Sequence, residues 1–376
     1  SNPDWAFLRT GPGTAIDGRP RFDLTRFNNP YFRERIRPFL QSAADLGIYV
    51  ELTLFESTGP GNWDGCLYND ANNVHDLNLR HGVSESDRAL RNPQLLQIQE
   101  EFVTKVVSET DDFGNVIYEI CNEGGGSAWV SHFVDFIHSR DPSALVSAGE
   151  QASEFNPISG PNGIVVKHRG RAMGGGRYAT DADVKAHHDA LLAYRAGKPV
   201  THNEFFLYAH GSTDDPNFVR KMFWADFTAC GHTNFYDFAH LKGPGYHPRP
   251  HWPASKERTA QLPPDPIMEG GRYLRRFIDR ITFWRLSPAD ECVEVNSADT
   301  YAMTMADPGH VYVVYLLGER VERLTVRVPA GRYRPRWYDP KTGTFTHRAV
   351  RPAADGQLTV PVPPFEQDTV LWLQAE

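Results

Sequence analysis

With 376 residues, of which 40% are hydrophobic, 12% aromatic and 23% charged, the chain has the length of one large domain plus a small one and the composition of a globular enzyme. A net charge of −8 excludes partners that require a basic face, so neither nucleic acid nor an anionic membrane surface is expected. The cysteines Cys66, Cys121, Cys230 and Cys292 form no CxxC, which excludes a zinc knuckle or redox motif, and no apolar run reaches the roughly 18 residues that cross a bilayer.

Ser1-Asn2-Pro3 reads as a cloning remnant or the cut end of a longer sequence, and no charged-then-apolar leader precedes Trp5. The expectation is a soluble chain, cytoplasmic or secreted with any signal removed. Trp5 to Arg9 reads as a short strand stopped by Gly11-Pro12-Gly13. Asn29-Pro30 opens a helix whose apolar residues Phe32, Ile36, Phe39, Leu40 and Ala43 keep helical spacing up to Gly47. Ile48 to Phe55 is the next strand. It finishes at Glu56 and gives way to a long loop bearing Trp63, Asp64, Tyr68 and His75.

Asn92-Pro93 starts a second helix, and the strand of Asn115 to Glu123 (NVIYEICNE) follows, an apolar run ending on Asn122-Glu123 and then Gly124 to Gly126. Ala128 to Arg140 is helical, Ala144 to Ala148 and Gly163 to Val166 are strands, and the latter ends near Lys167-His168. Asp181 to Ala196 is a helix that feeds the strand of Pro199 to Phe206 (PVTHNEFF). Helix Phe218 to Ala229, strand His232 to Phe238 and helix Gly270 to Ile281 complete the series. Strands alternating with helices at this interval predict βαβ units and a parallel sheet.

After Trp284 the texture changes to short alternating strands punctuated by Pro, Gly and Asp: Thr300 to Met305, His310 to Leu317, Arg323 to Val328, Gly331 to Tyr338, Leu358 to Val362 and Thr369 to Leu373. The predicted fold class is therefore α/β: a (β/α)8 TIM-type barrel over residues 1–284 that lacks its first βα unit, followed by an antiparallel β-sandwich over 285–376. Seven strands are counted where a closed barrel has eight, and the missing one would precede residue 1. An uncovered edge in such a barrel would favour a homo-oligomer.

The chemistry lies in a repeated grammar. Asn203-Glu204 ends its strand as Asn122-Glu123 ends the earlier one, and with the strands at Ala144 and Ile164 between them the two glutamates would sit three strands apart around one barrel mouth. Two carboxyls so placed can divide the work of acid and nucleophile. A strand-terminal Asn-Glu, a second strand-terminal Glu and a C-terminal sandwich together resemble the clan A retaining glycoside hydrolases, over roughly residues 5–284. Gly124 stands where that clan has proline after Asn-Glu. The resemblance implies that Glu123 is the acid/base, Glu204 the nucleophile and Asn122 a donor to the sugar 2-hydroxyl. It also implies that the Trp5 segment is barrel strand two, with Arg9 against the nucleophile. Phe235, Tyr236 and Phe238 replace the tryptophan usual at strand eight. The sandwich, with Trp337-Tyr338-Asp339-Pro340, resembles the collagen-binding-type C-terminal domains appended to some of these enzymes.

Around this pair, Glu56 binds sugar hydroxyls, fixes its loop or is simply exposed at the surface. His168 could bond the nucleophile or a sugar, and His202 would share a strand face with Glu204; either histidine equally suits a satisfied core position. Tyr236 is expected to face the cleft, and Trp63 is read as a sugar platform or a packing residue. Glu119 is expected on the outer face against a helix, Glu150 as structural, and His187-His188 on the surface of its helix. Arg169, Arg171 and Gly174 to Gly176 make no phosphate loop, and no GxGxxG or GxSxG occurs, so no cofactor, no metal and no serine nucleophile is expected. The expected partner is a carbohydrate. The competing readings are a non-catalytic carbohydrate-binding protein on a degraded barrel and a metal-dependent hydrolase built on scattered histidines.

Overall fold

The computed structural model describes residues 5–56, 60–79, 89–122, 125–148, 163–168, 180–194, 198–205, 216–235, 266–354 and 356–376. They belong to two compact units, Ser1–Lys167 and His168–Glu376.

The first unit opens with a hairpin. Strand β1 (Phe7–Thr14) pairs antiparallel with β2 (Pro20–Phe27) through a turn in which Ala15 N–H donates to the Arg19 carbonyl at 2.8 Å. This corrects two expectations. The Gly-Pro-Gly segment does not stop the strand, because register shifts along the pair absorb the proline, and a Cβ on Gly11 would lie 2.8 Å from the Arg21 nitrogen, an approach only glycine permits. Nor is the Trp5 segment a strand of the parallel array, since β1 and β2 make a two-stranded sheet of their own.

A turn of π-helix over Tyr31–Ile36 continues into α1 (Arg37–Asp45), with Phe32 and Leu40 buried and Gly47 at φ +67° closing the helix. The parallel ladder then builds outward from β3 (Val50–Glu56) to β4 (Val116–Asn122), β5 (Leu145–Ser147) and β6 (Gly163–His168). Between β3 and β4 runs α2 (Pro93–Thr110). The Asn92 side chain accepts from the Leu95 N–H at 3.2 Å and Pro93 sits in the first turn, as the Asn-Pro signal predicts. Helix α3 (Ser127–His138) connects β4 to β5 and buries Trp129, Val130, Phe133, Val134 and Ile137.

Tyr118 of β4 is 2% exposed and shares a 2.7 Å hydrogen bond with the Thr110 hydroxyl at the end of α2. Burial pushes its phenol up to about 12. A raised folded-state value means that its contribution is fully present below the ordinary tyrosine range near pH 10 and is lost as pH climbs towards 12, by about 2–3 kcal/mol. Thermal melts from pH 9 to 12 should therefore fall more steeply for the native chain than for Tyr118→Phe; superimposable slopes would refute this coupling.

In the second unit, α4 (Asp181–Tyr194), β7 (Val200–Phe205), α5 (Pro216–Thr228), β8 (Gly231–Phe235) and α6 (Pro266–Ile278) precede the antiparallel region, with β7 and β8 parallel. Helix α6 starts a turn earlier than its apolar pattern suggests, at Pro266, a residue well suited to a first helical turn. Short strands β9 (Ser287–Pro288) and β10 (Val293–Glu294) lead to β11 (Thr300–Asp307), β12 (Val311–Gly318), β13 (Arg323–Arg327), β14 (Gly331–Asp339), β15 (Thr344–His347), β16 (Arg351–Ala353), β17 (Gln357–Pro361) and β18 (Asp368–Ala375).

These strands form a seven-stranded sheet, β15-β14-β18-β12-β11-β9 with β16 on β14, and a three-stranded sheet, β10-β13-β17. The larger sheet is apolar on both faces. Val313, Tyr315 and Leu317 pack with Trp224 and Phe277 of α5 and α6, while Val314 and Leu316 pack with Leu324, Val326 and Val360 of the small sheet. Such double burial explains why β12 reads VYVVYLLG instead of alternating polar and apolar residues. The Asp339 to Gly343 turn touches α6. Gly343 has φ +70°, and a Cβ there would lie 2.5 Å from the Tyr273 ring.

Among the described residues no helix is long and apolar enough to cross a membrane. Cys66 and Cys121 are buried, and Cys230 and Cys292 are half-buried.

Candidate active site

The carboxyl edge of the parallel ladder is where a barrel enzyme carries its chemistry. At that edge of the first unit Glu56 ends β3 and Asn122 ends β4, and the two are register partners. The Asn122 amide nitrogen donates to both carboxylate oxygens of Glu56, at 2.9 and 3.1 Å. Glu56 thus orients the side chain next to Glu123, and a sugar hydroxyl that used the same amide would share or exchange that donor.

Three residues lower, the Thr53 hydroxyl donates to Glu119, again between register partners. Glu119 is 5% exposed and finds a hydroxyl partner on the adjacent strand, where a helix partner was expected. Aromatic packing stiffens the edge. Phe55 meets Trp129 at 5.0 Å between ring centroids, and the Trp129 indole donates to Gln99 at 3.0 Å. Gly125 turns the chain into α3 at φ +98°, with the space for a Cβ occupied by Val130 at 2.9 Å.

The loop after β3 is organised by asparagines. Asn69 donates to the Trp63 carbonyl, Asn72 to those of Asp64 and Cys66, and Asn73 to those of Leu67 and Asn69. The Asn72 backbone carbonyl also accepts from Phe22, tying the loop to β2. Within it Trp63 is 7% exposed and part of the core, so it packs and offers no open ring face to a sugar. Arg9 is likewise committed elsewhere. Its guanidinium bonds both oxygens of Asp17, at 2.8 and 3.0 Å, and lies 3.9 Å from the Phe22 ring centre, because the hairpin turn returns Asp17 to it.

In the second unit Glu204 and His202 lie on β7, and His168 ends β6. Between His202 and Phe205 the register with β8 slips by one residue: His202 pairs with Thr233 and Phe205 with Phe235. Asn203-Glu204 therefore falls on an irregularity of the strand ladder, and bulges of that kind are common beside active sites. Glu123, Glu150, Tyr236 and the Arg169 to Gly176 segment lie outside the described residues.

With this geometry in place, the chain can be set beside known proteins. No protein-family profile matches it, and a search of curated proteins finds no match. Solved structures do match. A glycoside hydrolase family 5 protein from Bacteroides vulgatus aligns with 91% of this chain and 73% of its own at 15% identity and a TM-score of 0.58. A second protein from Bacteroides vulgatus, described as a glycoside hydrolase, covers 99% of this chain and 69% of its own, at 14% identity and 0.59. A further glycoside hydrolase covers 91% and 89%, at 14% and 0.57. The fold is one that glycoside hydrolases use.

Two features of the second unit escaped the sequence reading. His187 and His188 are fully buried, not on the surface. The signal was present, for Val184, His187, His188 and Leu191 fall at i, i+3, i+4 and i+7, the spacing of a buried stripe. His187 Nε2 meets Asp226 Oδ1 at 2.5 Å in the interior, and the half-buried Thr233 hydroxyl of β8 reaches the other oxygen of Asp226, so the three residues join α4, α5 and β8. The second is Arg220 of α5, which bonds both oxygens of Asp368 on β18 at 2.9 Å, while the Tyr315 hydroxyl donates to Asp368 at 2.9 Å.

Proposed function

We propose that the chain is a retaining β-glycoside hydrolase, with Glu123 as acid/base and Glu204 as nucleophile. The observation that carries this reading is the Asn122 amide held on Glu56 at the carboxyl edge of the ladder, immediately before Glu123. The bulge at Asn203-Glu204 and the likeness in fold to glycoside hydrolases support it.

In this proposal neutral Glu123 protonates the glycosidic oxygen as the carboxylate of Glu204 attacks the anomeric carbon. Water, deprotonated by Glu123, then releases the sugar from the glycosyl-enzyme with net retention. Glu56 and Asn122 would hold substrate hydroxyls on one side, and His168, His202 and Tyr236 are proposed as further sugar contacts. The division into a catalytic barrel of 1–284, incomplete at its start, and a sandwich of 285–376 belongs to the same proposal.

Glu123→Ala is expected to slow hydrolysis of unactivated β-glycosides on the order of 10²–10⁴-fold while sparing glycosylation from dinitrophenyl glycosides, whose leaving group needs no proton. Pre-steady-state kinetics on both substrate classes measure this. Equal losses would remove the acid role, and sugar binding without turnover in the native chain would leave only a carbohydrate-binding protein.

A further inference from the structure

Outside the candidate active site, one cluster combines a buried donor with converging carboxylates. His188 of α4 is fully buried, and among the described residues neither of its ring nitrogens has a hydrogen-bond partner. A buried imidazole left unpaired on both sides carries a desolvation cost, so its surroundings must supply a reason. They do so on the Nδ1 side. Asp189 Oδ1 lies 3.5 Å away and Asp290 Oδ2, from the short 3₁₀ turn between β9 and β10, lies 3.6 Å away.

All three donor atoms lie within 4.8 Å of one another. These separations are too long for good hydrogen bonds, yet they approach the roughly 3.4 Å between two ligands held about 2.0–2.1 Å from a tetrahedral zinc ion. One ligand is already oriented. Asp290 Oδ1 accepts from the Thr304 backbone N–H at 2.6 Å, which turns Oδ2 towards His188 in the way outer partners orient metal ligands. Asp189 is 54% exposed and has room to close by rotation once Lys185 releases it.

We propose that His188, Asp189 and Asp290 bind one divalent transition-metal ion, with Zn2+ the best match to one imidazole and two carboxylates, and that the ion ties α4 to the start of the antiparallel region. Lys185 is its internal competitor. The Lys185 ammonium contacts Asp189 Oδ1 and stands 3.6 Å from Asp290 Oδ2, so it neutralises the same carboxylates. It lies one helical turn before Asp189 and is 22% exposed, which lets it swing to solvent when a metal enters. This site is independent of the glycosidase reading.

The test is titration of the full chain, stripped by a chelator, with ZnCl2 by calorimetry, alongside thermal melts. The native chain should bind one equivalent and melt higher with it. Asp189→Asn, at a half-exposed position, keeps the fold and should weaken binding at least about 10-fold, and His188→Ala should abolish it. Lys185→Met should tighten it several-fold by removing the competing cation. Absence of stoichiometric binding, or binding indifferent to both Asp189→Asn and Lys185→Met, would overturn the proposal and leave a plain ion-pair network around Lys185.

Discussion

Glu204→Ala is expected to abolish hydrolysis of every β-glycoside the native chain cleaves, by on the order of 10⁴-fold or more, because no other group then forms the covalent bond to the anomeric carbon. Azide should restore turnover. The small anion enters where the carboxylate stood and attacks the anomeric carbon as the aglycone departs with its bonding electrons. The product is a glycosyl azide of inverted configuration, stable because Glu123 has no second step to catalyse on it. Proton NMR of the anomeric centre reads the outcome. Native-like activity in the variant would refute the role of Glu204, and loss without azide rescue would remove the assignment as nucleophile. Glu204→Gln sharpens the test, since it keeps the shape of the side chain and removes only the nucleophilic charge. A structural role would survive Glu204→Gln; a nucleophile would not.

Asp368→Ala is expected to have the largest effect on stability. Asp368 is 3% exposed and accepts from the Arg220 guanidinium through two nitrogens and from Tyr315. Removing it strands a buried cation and a buried hydroxyl together, which costs about 3–5 kcal/mol. For a chain of this size that corresponds to a fall in Tm of roughly 4–6 °C. Trp224 stacks on Tyr315 at 5.5 Å with 14° between planes, so near-ultraviolet dichroism follows the same region. Arg220→Met with Asp368→Leu should recover most of the loss, since apolar replacement of both partners removes the stranded charge. A loss below about 1 kcal/mol in Asp368→Ala would show that solvent reaches the site and pays its solvation. Because Arg220 is on α5, between β7 and β8, this ion pair also anchors the helix that follows the strand of Glu204 to the antiparallel sheet.

The elements themselves were legible because their causes are local. Asn92-Pro93 caps α2, Gly47 closes α1, and the apolar run of NVIYEICNE makes β4 wherever it is placed. The end of β4 at Asn122 was legible for the same reason, and the Glu56–Asn122 contact follows from two neighbouring strands ending at one level, while β7 runs one residue past Glu204 to Phe205. Partners were not. Nothing local in WAFLR says that it pairs antiparallel with residues beyond Asp17 instead of joining β3, or that the turn would bring Asp17 back as the partner of Arg9.

Burial was decided in the same way. Trp63 reads equally as a sugar platform or a packing residue until the asparagine-bonded loop is seen to bury it, and His187 reads as a surface residue until Asp226 meets it from another helix. The sequence by itself determined which segments are helix or strand, since periodicity, caps and breakers act within a few residues. Only the tertiary structure decided which polar side chains are buried and what they touch, because burial sums contacts from segments tens to more than a hundred residues apart, as Arg220 and Asp368 demonstrate.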